Sequence, residues 1–215
     1  MSDLNETALR RQLDEGLSGL QNATRPNDTQ CGQLVAFVAL LAKWNKAYNL
    51  TAIREPADMV SHHLLDSLTV APHLHGQRCV DIGTGAGLPG LPLAITHPDK
   101  SFLLIDSNSK KTRFITQAVA ALSLLNVEVW QGRSEHYEAG AGFDTVMCRA
   151  VASLPRLVEI GGHLLNNGGR LVAQKGRMPD AELAELPVGW RATTHVAQVP
   201  GLENKTRHII VLTHH

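Results

Sequence analysis

The sequence predicts an α/β protein: a Rossmann-like, mostly parallel seven-stranded sheet with an antiparallel last strand, preceded by an N-terminal helical cap. Three observations carry this prediction. Residues 1–75 show helical periodicity throughout. From residue 78 onward, five short apolar segments alternate with helical ones, the pattern of βαβ units. Residues 190–199 and 208–213 are both β-like, and the segment 200–207 between them is too short for a helical crossover. The two therefore pair antiparallel at a sheet edge. A chain of 215 residues suits one such core plus an appended segment, so the expected division is a helical cap over 1–75 and a sheet domain over 76–215.

Each element has its own warrant. Leu4, Ala8, Leu13, Leu17 and Leu20 recur near a 3.6-residue period and predict a helix over 3–20. Asn22 to Asp28 is a turn-rich linker, and Thr29 is the expected N-cap of the next helix. That helix sets Leu34, Phe37, Val38, Leu41 and Trp44 on one face and should end near Tyr48-Asn49. Pro56 suits the first turn of a shorter helix carrying Met59, His63, Leu64 and Leu68. Strands are expected at 78–82, 101–105, 127–130, 143–148 and 170–174. Helices are expected through Ile95, from Ser109 to Leu125, and over 153–166.

Composition removes several classes of protein. With 43% hydrophobic and 19% charged residues, the chain is not disordered. No apolar run approaches the ~18 residues of a membrane span, and the first twenty residues are charged throughout without a signal-peptide core. A cytoplasmic protein without membrane association is expected. Cys31, Cys79 and Cys148 are odd in number and far apart, which opposes a disulfide framework or a CxxC knuckle. Adjacent His62 and His63 point to different helix faces, and no other histidines have ligand spacing, so no metal is expected. The terminal His214-His215 are given no role. The formal net charge is zero, but residues 149–215 hold eight Lys and Arg against five Asp and Glu. A polyanion would lie across that C-terminal part. No long apolar helix stripe is left over, so a monomer is expected.

The strongest local signal is Val80-Asp-Ile-Gly-Thr-Gly-Ala-Gly-Leu-Pro-Gly90. Gly83, Gly85 and Gly87 follow a strand and open a helix, where glycine lets the backbone turn tightly and approach a ligand. Amides at the helix start can take a polar or anionic group. Gly85 to Gly90 literally matches the GxGxxG dinucleotide fingerprint. Yet Gly83, with Asp81 before it, closes the strand, and this frame resembles motif I of S-adenosylmethionine-dependent methyltransferases. Helices, then βα units, then a closing hairpin is also the order of a class I methyltransferase. Asp106, about 20 residues past the loop, suits ribose hydroxyls under either reading, and also the N-cap of the next helix. In the methyltransferase layout Ser134-Glu135 would touch the adenine ring; read alone they are an N-cap pair.

At the fourth strand end there is neither a Pro-Pro-aromatic run nor a Pro-Cys pair. Cys148 reads as a buried strand residue rather than a nucleophile. Arg149 is a permanent cation at a buried strand end, costly without an anionic or base partner. With Lys175-Gly176-Arg177 and Arg207-His208 it supplies three basic sites at strand ends that could converge on a phosphate backbone, or remain solvated loop charges.

Trp44-Asn45 with Tyr48-Asn49-Leu-Thr, His63-Leu-Leu-Asp66-Ser67 and Asp81 to Gly90 together resemble the glucose-inhibited division protein B (GidB) family, bacterial small-subunit ribosomal RNA guanine-N7 methyltransferases. Asp106-Ser107, Arg149-Ala150, Lys175-Gly176 and Arg207-His208 follow in the family's order, and the resemblance spans about residues 34–213. It implies S-adenosyl-L-methionine as cofactor, contacted by Asp81, Gly83, Thr84, Gly85, Gly87, Leu88, Asp106, Ser107, Ser134, Glu135 and Arg149. Arg149 would also act at the reaction centre. Asn45, His63, Arg133, Lys175 and Arg207 would meet RNA. The implied partner is 16S ribosomal RNA of the small subunit, at a guanine in its decoding-region loop. Two departures stand out: His62 replaces a frequent arginine, and Asn108-Ser109-Lys110 replaces Leu-Gly-Lys. Two other classes stay open, an NAD(P)-dependent oxidoreductase and a non-catalytic RNA-binding module on a methyltransferase fold.

Overall fold

The computed structural model describes residues 5–20, 25–149, 152–202 and 205–214. Leu4 of the first helix, Asn22 to Thr24 of the linker, Ala150 and His215 lie outside these residues.

The first helix, α1 (Glu6–Gly19), is capped by the Asn5 side chain. Asn27, not Thr29, caps α2 (Asp28–Tyr48). The Asn27 side chain accepts from the Gln30 amide at 2.9 Å while the Gln30 side chain accepts from the Asn27 amide at 2.8 Å. This reciprocal capping box outcompetes the single bond a threonine hydroxyl could offer. Helix α2 ends at Asn49 in the left-handed conformation, as expected at Tyr48-Asn49. Pro56 opens α3 (Pro56–Met59), which runs through a π-helical turn (Val60–Leu65) into α4 (Asp66–Leu68).

The sheet contains β1 (Arg78–Ile82), β2 (Ser101–Asp106), β3 (Val127–Gln131), β4 (Phe143–Arg149), β5 (Leu165–Lys175), β6 (Trp190–Gln198) and β7 (Thr206–His214). Their order across the sheet is β3-β2-β1-β4-β5-β7-β6. The pairings from β3 to β5 are parallel, and β7 runs antiparallel to both β5 and β6. The fold class and the closing hairpin therefore stand as expected.

Helices α5 (Gly90–Thr96), α6 (Ser109–Ala121), α7 (Leu154–Gly161) and α8 (Asp180–Ala184) complete the chain. Three expectations change here. Helix α6 stops four residues before Leu125, because Ser123 turns into the left-handed region at φ 54. Leu125 is fully exposed, so its apolar character carried no helical information. The helix expected over 153–166 ends at Gly161, and β5 begins at Leu165 rather than Arg170. Helix α8 was not anticipated.

Strand alternation divides the core. Phe102 and Leu104 belong to the cluster on the face covered by α5 and α6, which α1 and α2 extend, whereas Leu103 and Ile105 share a cluster with Leu154, Leu157 and Ile160 of α7. Phe114 of α6 meets Phe37 and Trp44 of α2, with centroids 6.2 and 5.7 Å apart. The N-terminal helices thus share one apolar cluster with the sheet instead of closing a core of their own.

Candidate active site

The order in which strands are added reverses between the parallel neighbours β1 and β4, and open α/β sheets bind ligands outside the strand ends at such a switch point. A cavity of about 560 Å³ lies there. The loop after β1 forms its floor. Gly83, Gly85 and Gly87 have φ of 63, 64 and 81°, a region that L side chains rarely adopt. A Cβ built on Gly85 meets nothing closer than 3.9 Å, so a side chain there would project into open space. At Gly90 the reverse holds: a Cβ would strike Leu104 at 2.2 Å and Asp81 at 2.9 Å.

Two carboxylates fix this loop. Asp81 is fully buried and accepts from the Thr84 hydroxyl at 2.7 Å and the Gly90 amide at 2.9 Å. Burial raises its pKa to about 7. Asp81 does not line the cavity, so the expected cofactor contact becomes a loop support beneath it. The first amide of α5 is spent on the same carboxylate, which removes the expected anion-binding helix start. Gly87 also stays off the wall, packed against Leu91. Asp106, at the end of β2, accepts from the Gly85 and Asn108 amides at 2.9 and 2.8 Å, and Lys111 Nζ lies 3.7 Å away. A carboxylate has about four acceptor positions, so Asp106 keeps capacity for a ligand while holding the loop.

Gly83, Thr84, Gly85, Leu88, Asp106, Ser107, Arg133, Ser134, Glu135 and Arg149 line the cavity. Glu135 is held below the usual carboxylate range by its own backbone amide, then by the Ser134 hydroxyl and Arg156. Sequence reasoning missed Leu50, Thr51 and Lys111, which also line it. Lys111 sits in the first turn of the helix after Asp106, a position that could have flagged it.

Asn45 and His63 do not face solvent, which corrects their expected RNA contacts. Both are buried, at 3% and 5% exposure. The Asn45 side chain accepts from the Thr51 amide at 2.9 Å and donates to the Ile53 carbonyl at 3.0 Å. His63 Nε2 lies 2.9 Å from the Thr51 hydroxyl. Burial, then the charge of Arg149, pushes the His63 pKa down to about 4. These two residues brace the Leu50-Thr51 wall from behind.

Of the basic strand ends, Arg149, Lys175 and Arg207 are held in ion pairs, whereas Arg177 is exposed. Arg149 Nη1 donates to Asp66 Oδ2 at 3.1 Å, and Arg207 donates to the other oxygen of the same carboxylate. Lys175 donates to Glu182 of α8 at 2.8 Å and to the Ala152 carbonyl at 2.7 Å. Asp66 and Glu182 hold these cations as internal ion pairs, so Lys175 and Arg207 do not offer RNA open ammonium and guanidinium groups. Asp66 stood in the sequence motif without a role. Cys148 is buried, with its thiol pushed up to about 12 by burial and the neighbouring Asp81, which leaves no thiolate for nucleophilic attack. Among the described residues, no group of His, Cys, Asp and Glu could hold a metal, and no helix is long and apolar enough to cross a membrane.

The family model described as "GidB: rRNA small subunit methyltransferase G" matches residues 30–210. The chain belongs to the GidB family. The ribosomal RNA small subunit methyltransferase G of Aeromonas salmonicida is 50% identical over 188 residues, covering 87% of this chain and 90% of that protein. Its namesake in Marinobacter nauticus is 47% identical over 94% of this chain and 93% of its own length. Among solved structures, a methyltransferase from Geobacter sulfurreducens aligns with a TM-score of 0.60 over 95% of this chain and 98% of its own, at 15% identity. A SAM-dependent methyltransferase from Aquifex aeolicus aligns at 0.56, with 17% identity, over 80% of this chain and 97% of its own. This GidB-family chain is therefore a methyltransferase of ribosomal RNA, and the oxidoreductase reading of its glycine loop falls away.

Proposed function

We propose that the protein transfers a methyl group from S-adenosyl-L-methionine to N7 of a guanine in the 530 loop, the decoding-region loop of 16S ribosomal RNA. The observation that carries this is the cradle at Gly85, where only a glycine leaves the cavity clear beside an acid, Asp106. The cavity also falls within the roughly 300–1,000 Å³ usual for cofactor sites. When bound, the cofactor supplies an electrophilic methyl on a cationic sulfur.

The chain's own residues do the rest. Asp106 takes ribose hydroxyls on its spare acceptor positions. The turn at Ser134-Glu135 borders the adenine. Arg149, at the end of β4, faces the reacting end of the cavity. Guanine N7 carries an in-plane lone pair and no proton, so attack needs no general base. Alignment by these walls can supply on the order of 7–11 kcal/mol. The absence of Pro-Pro-aromatic and Pro-Cys motifs accords with such chemistry. The base must leave its stack to enter. Exposed Arg133, Arg177 and Lys205 would meet the RNA backbone.

The test is incubation with methyl-labelled S-adenosylmethionine and small subunits from a strain lacking the gene, followed by digestion to nucleosides and mapping of the modified base. Label in 7-methylguanosine at that loop is expected. Label in another nucleoside, or at another guanine, would overturn the assignment of target atom or position.

A further inference from the structure

One buried carboxylate, behind the cavity wall that Arg149 forms, is shared by two arginines from distant parts of the chain. Asp66, at the end of the π-helical turn, has a side chain 3% exposed. Its Oδ2 accepts from Arg149 of β4 and its Oδ1 from Arg207 of β7. The Gln174 side chain donates to the Asp66 backbone carbonyl at 2.8 Å, so β5 pins the same residue. Arg149 lines the cavity, whereas Asp66 and Arg207 do not. Two cations on one anion leave the cluster with one positive charge in excess.

That charge matters for a ligand whose own charge changes during turnover. Methyl transfer breaks the sulfur–methyl bond, leaves the electron pair on sulfur and moves one positive charge to the guanine ring. The substrate cofactor is a sulfonium and its product a neutral thioether of almost the same shape. A guanidinium without a counter-ion at the cavity wall would disfavour the first and favour the second. We propose that Asp66 is a positioning residue that neutralises Arg149 and so sets the cavity's preference for S-adenosylmethionine over S-adenosylhomocysteine. This rests on the cofactor assigned above. Arg207 competes for the same carboxylate and weakens that neutralisation.

The other charged groups near the cavity are Asp81, Asp106, Lys111, Arg133 and Glu135. They are the same in wild type and in the variants below, so a difference between proteins isolates the Asp66 cluster. Isothermal titration of the full chain with each ligand at low ionic strength gives a ratio of affinities. Asp66→Asn is expected to move that ratio about fivefold toward S-adenosylhomocysteine. Arg207→Gln leaves Asp66 to Arg149 alone and should move it about twofold the other way. Arg207 does not line the cavity, so that variant removes no wall contact with either ligand, and it keeps the proposal testable if Asp66→Asn fails to fold.

Equal weakening of both ligands in Asp66→Asn would mean mere structural support and overturn the proposal. So would a shift toward product in Arg207→Gln. Wild type binding neither ligand would overturn the cofactor reading and this proposal with it. Wild type binding both, with the order of ratios wrong, would overturn this proposal alone.

Discussion

The two rims of the cavity are built on opposite plans. On the β1–β2 side the ligand-facing surface is mostly backbone and small side chains. Its acids hold a loop of left-handed glycines, Asp81 from beneath and Asp106 from the wall with acceptor positions to spare. On the β4–β7 side Arg149 lines the cavity and Arg207 and Lys175 lie outside its lining, each cation tied to a carboxylate from another element: Arg149 and Arg207 to Asp66, Lys175 to Glu182. The first rim is defined by where side chains cannot be. The second is defined by which charges cancel. A backbone cradle tolerates almost no substitution at the points of closest approach, whereas a network of partly buried ion pairs can lose one member and redistribute.

The sharpest way to break this comparison is Gly85→Asp. A side chain at φ 64 would enter the cavity, and its charge would sit beside Asp106. S-adenosylmethionine affinity should fall by more than about 100-fold, roughly the loss of two good polar contacts, with the fold intact by circular dichroism. Retained affinity would show that the first rim is not built around the glycine.

Asn45→Ala tests the wall behind Leu50-Thr51. It strands the Thr51 amide and the Ile53 carbonyl in a part-buried site. Stability should drop by about 2 kcal/mol in urea unfolding, and the cofactor should bind more weakly because Thr51 lines the cavity. Unchanged cofactor affinity at lowered stability would separate the brace from the site.

The pH dependence of stability offers a smaller effect with a defined sign. The native state holds His63 near pKa 4, against an ordinary value of 6.5, so it binds this proton less tightly than the unfolded chain. The His63 contribution is intact above about pH 6.5 and is lost as pH falls toward 4. His73, also lowered to about 4 by burial, acts in the same sense. Asp81, raised to about 7, acts in the opposite one: its contribution is present at low pH and lost as pH rises through 7. The informative quantity is therefore the difference between wild type and His63→Gln. The variant should lose about 1–3 kcal/mol less between pH 6.5 and 4, read from urea midpoints at each pH. Parallel curves would mean that His63 titrates normally.

The smallest effect concerns the second rim. Lys175→Gln should weaken RNA binding by less than about threefold, because its charge is already spent on Glu182. Exposed Arg133→Gln should weaken binding more and reduce the salt slope by about 1. If Lys175→Gln has the larger effect in filter binding, its ion pair opens on contact with RNA.

The strand–glycine–strand half of this protein was legible because its signals are contiguous. Asp81 to Gly90 and Asp106 lie within one βαβ unit, where spacing along the chain fixes spacing in the fold. Strand boundaries at β1 and β3 followed from short apolar runs closed by turn residues. The ends of α6 and α7 did not, since an apolar residue fits a helix, a loop or a strand until its packing is known: Leu125 lies exposed beyond α6 and Leu165 opens β5.

Sequence by itself determined the α/β class, the order of elements, the glycine loop and the resemblance to the GidB family, because all of these reside in local pattern and motif. Only the tertiary structure decided what the polar residues do. It turned Asp81, Asn45 and His63 from ligand contacts into supports. It also joined Asp66 to Arg149 and Arg207 across separations of 83 and 141 residues. A charge's role depends on the partner that desolvation forces on it, and that partner is chosen by packing rather than by position along the chain.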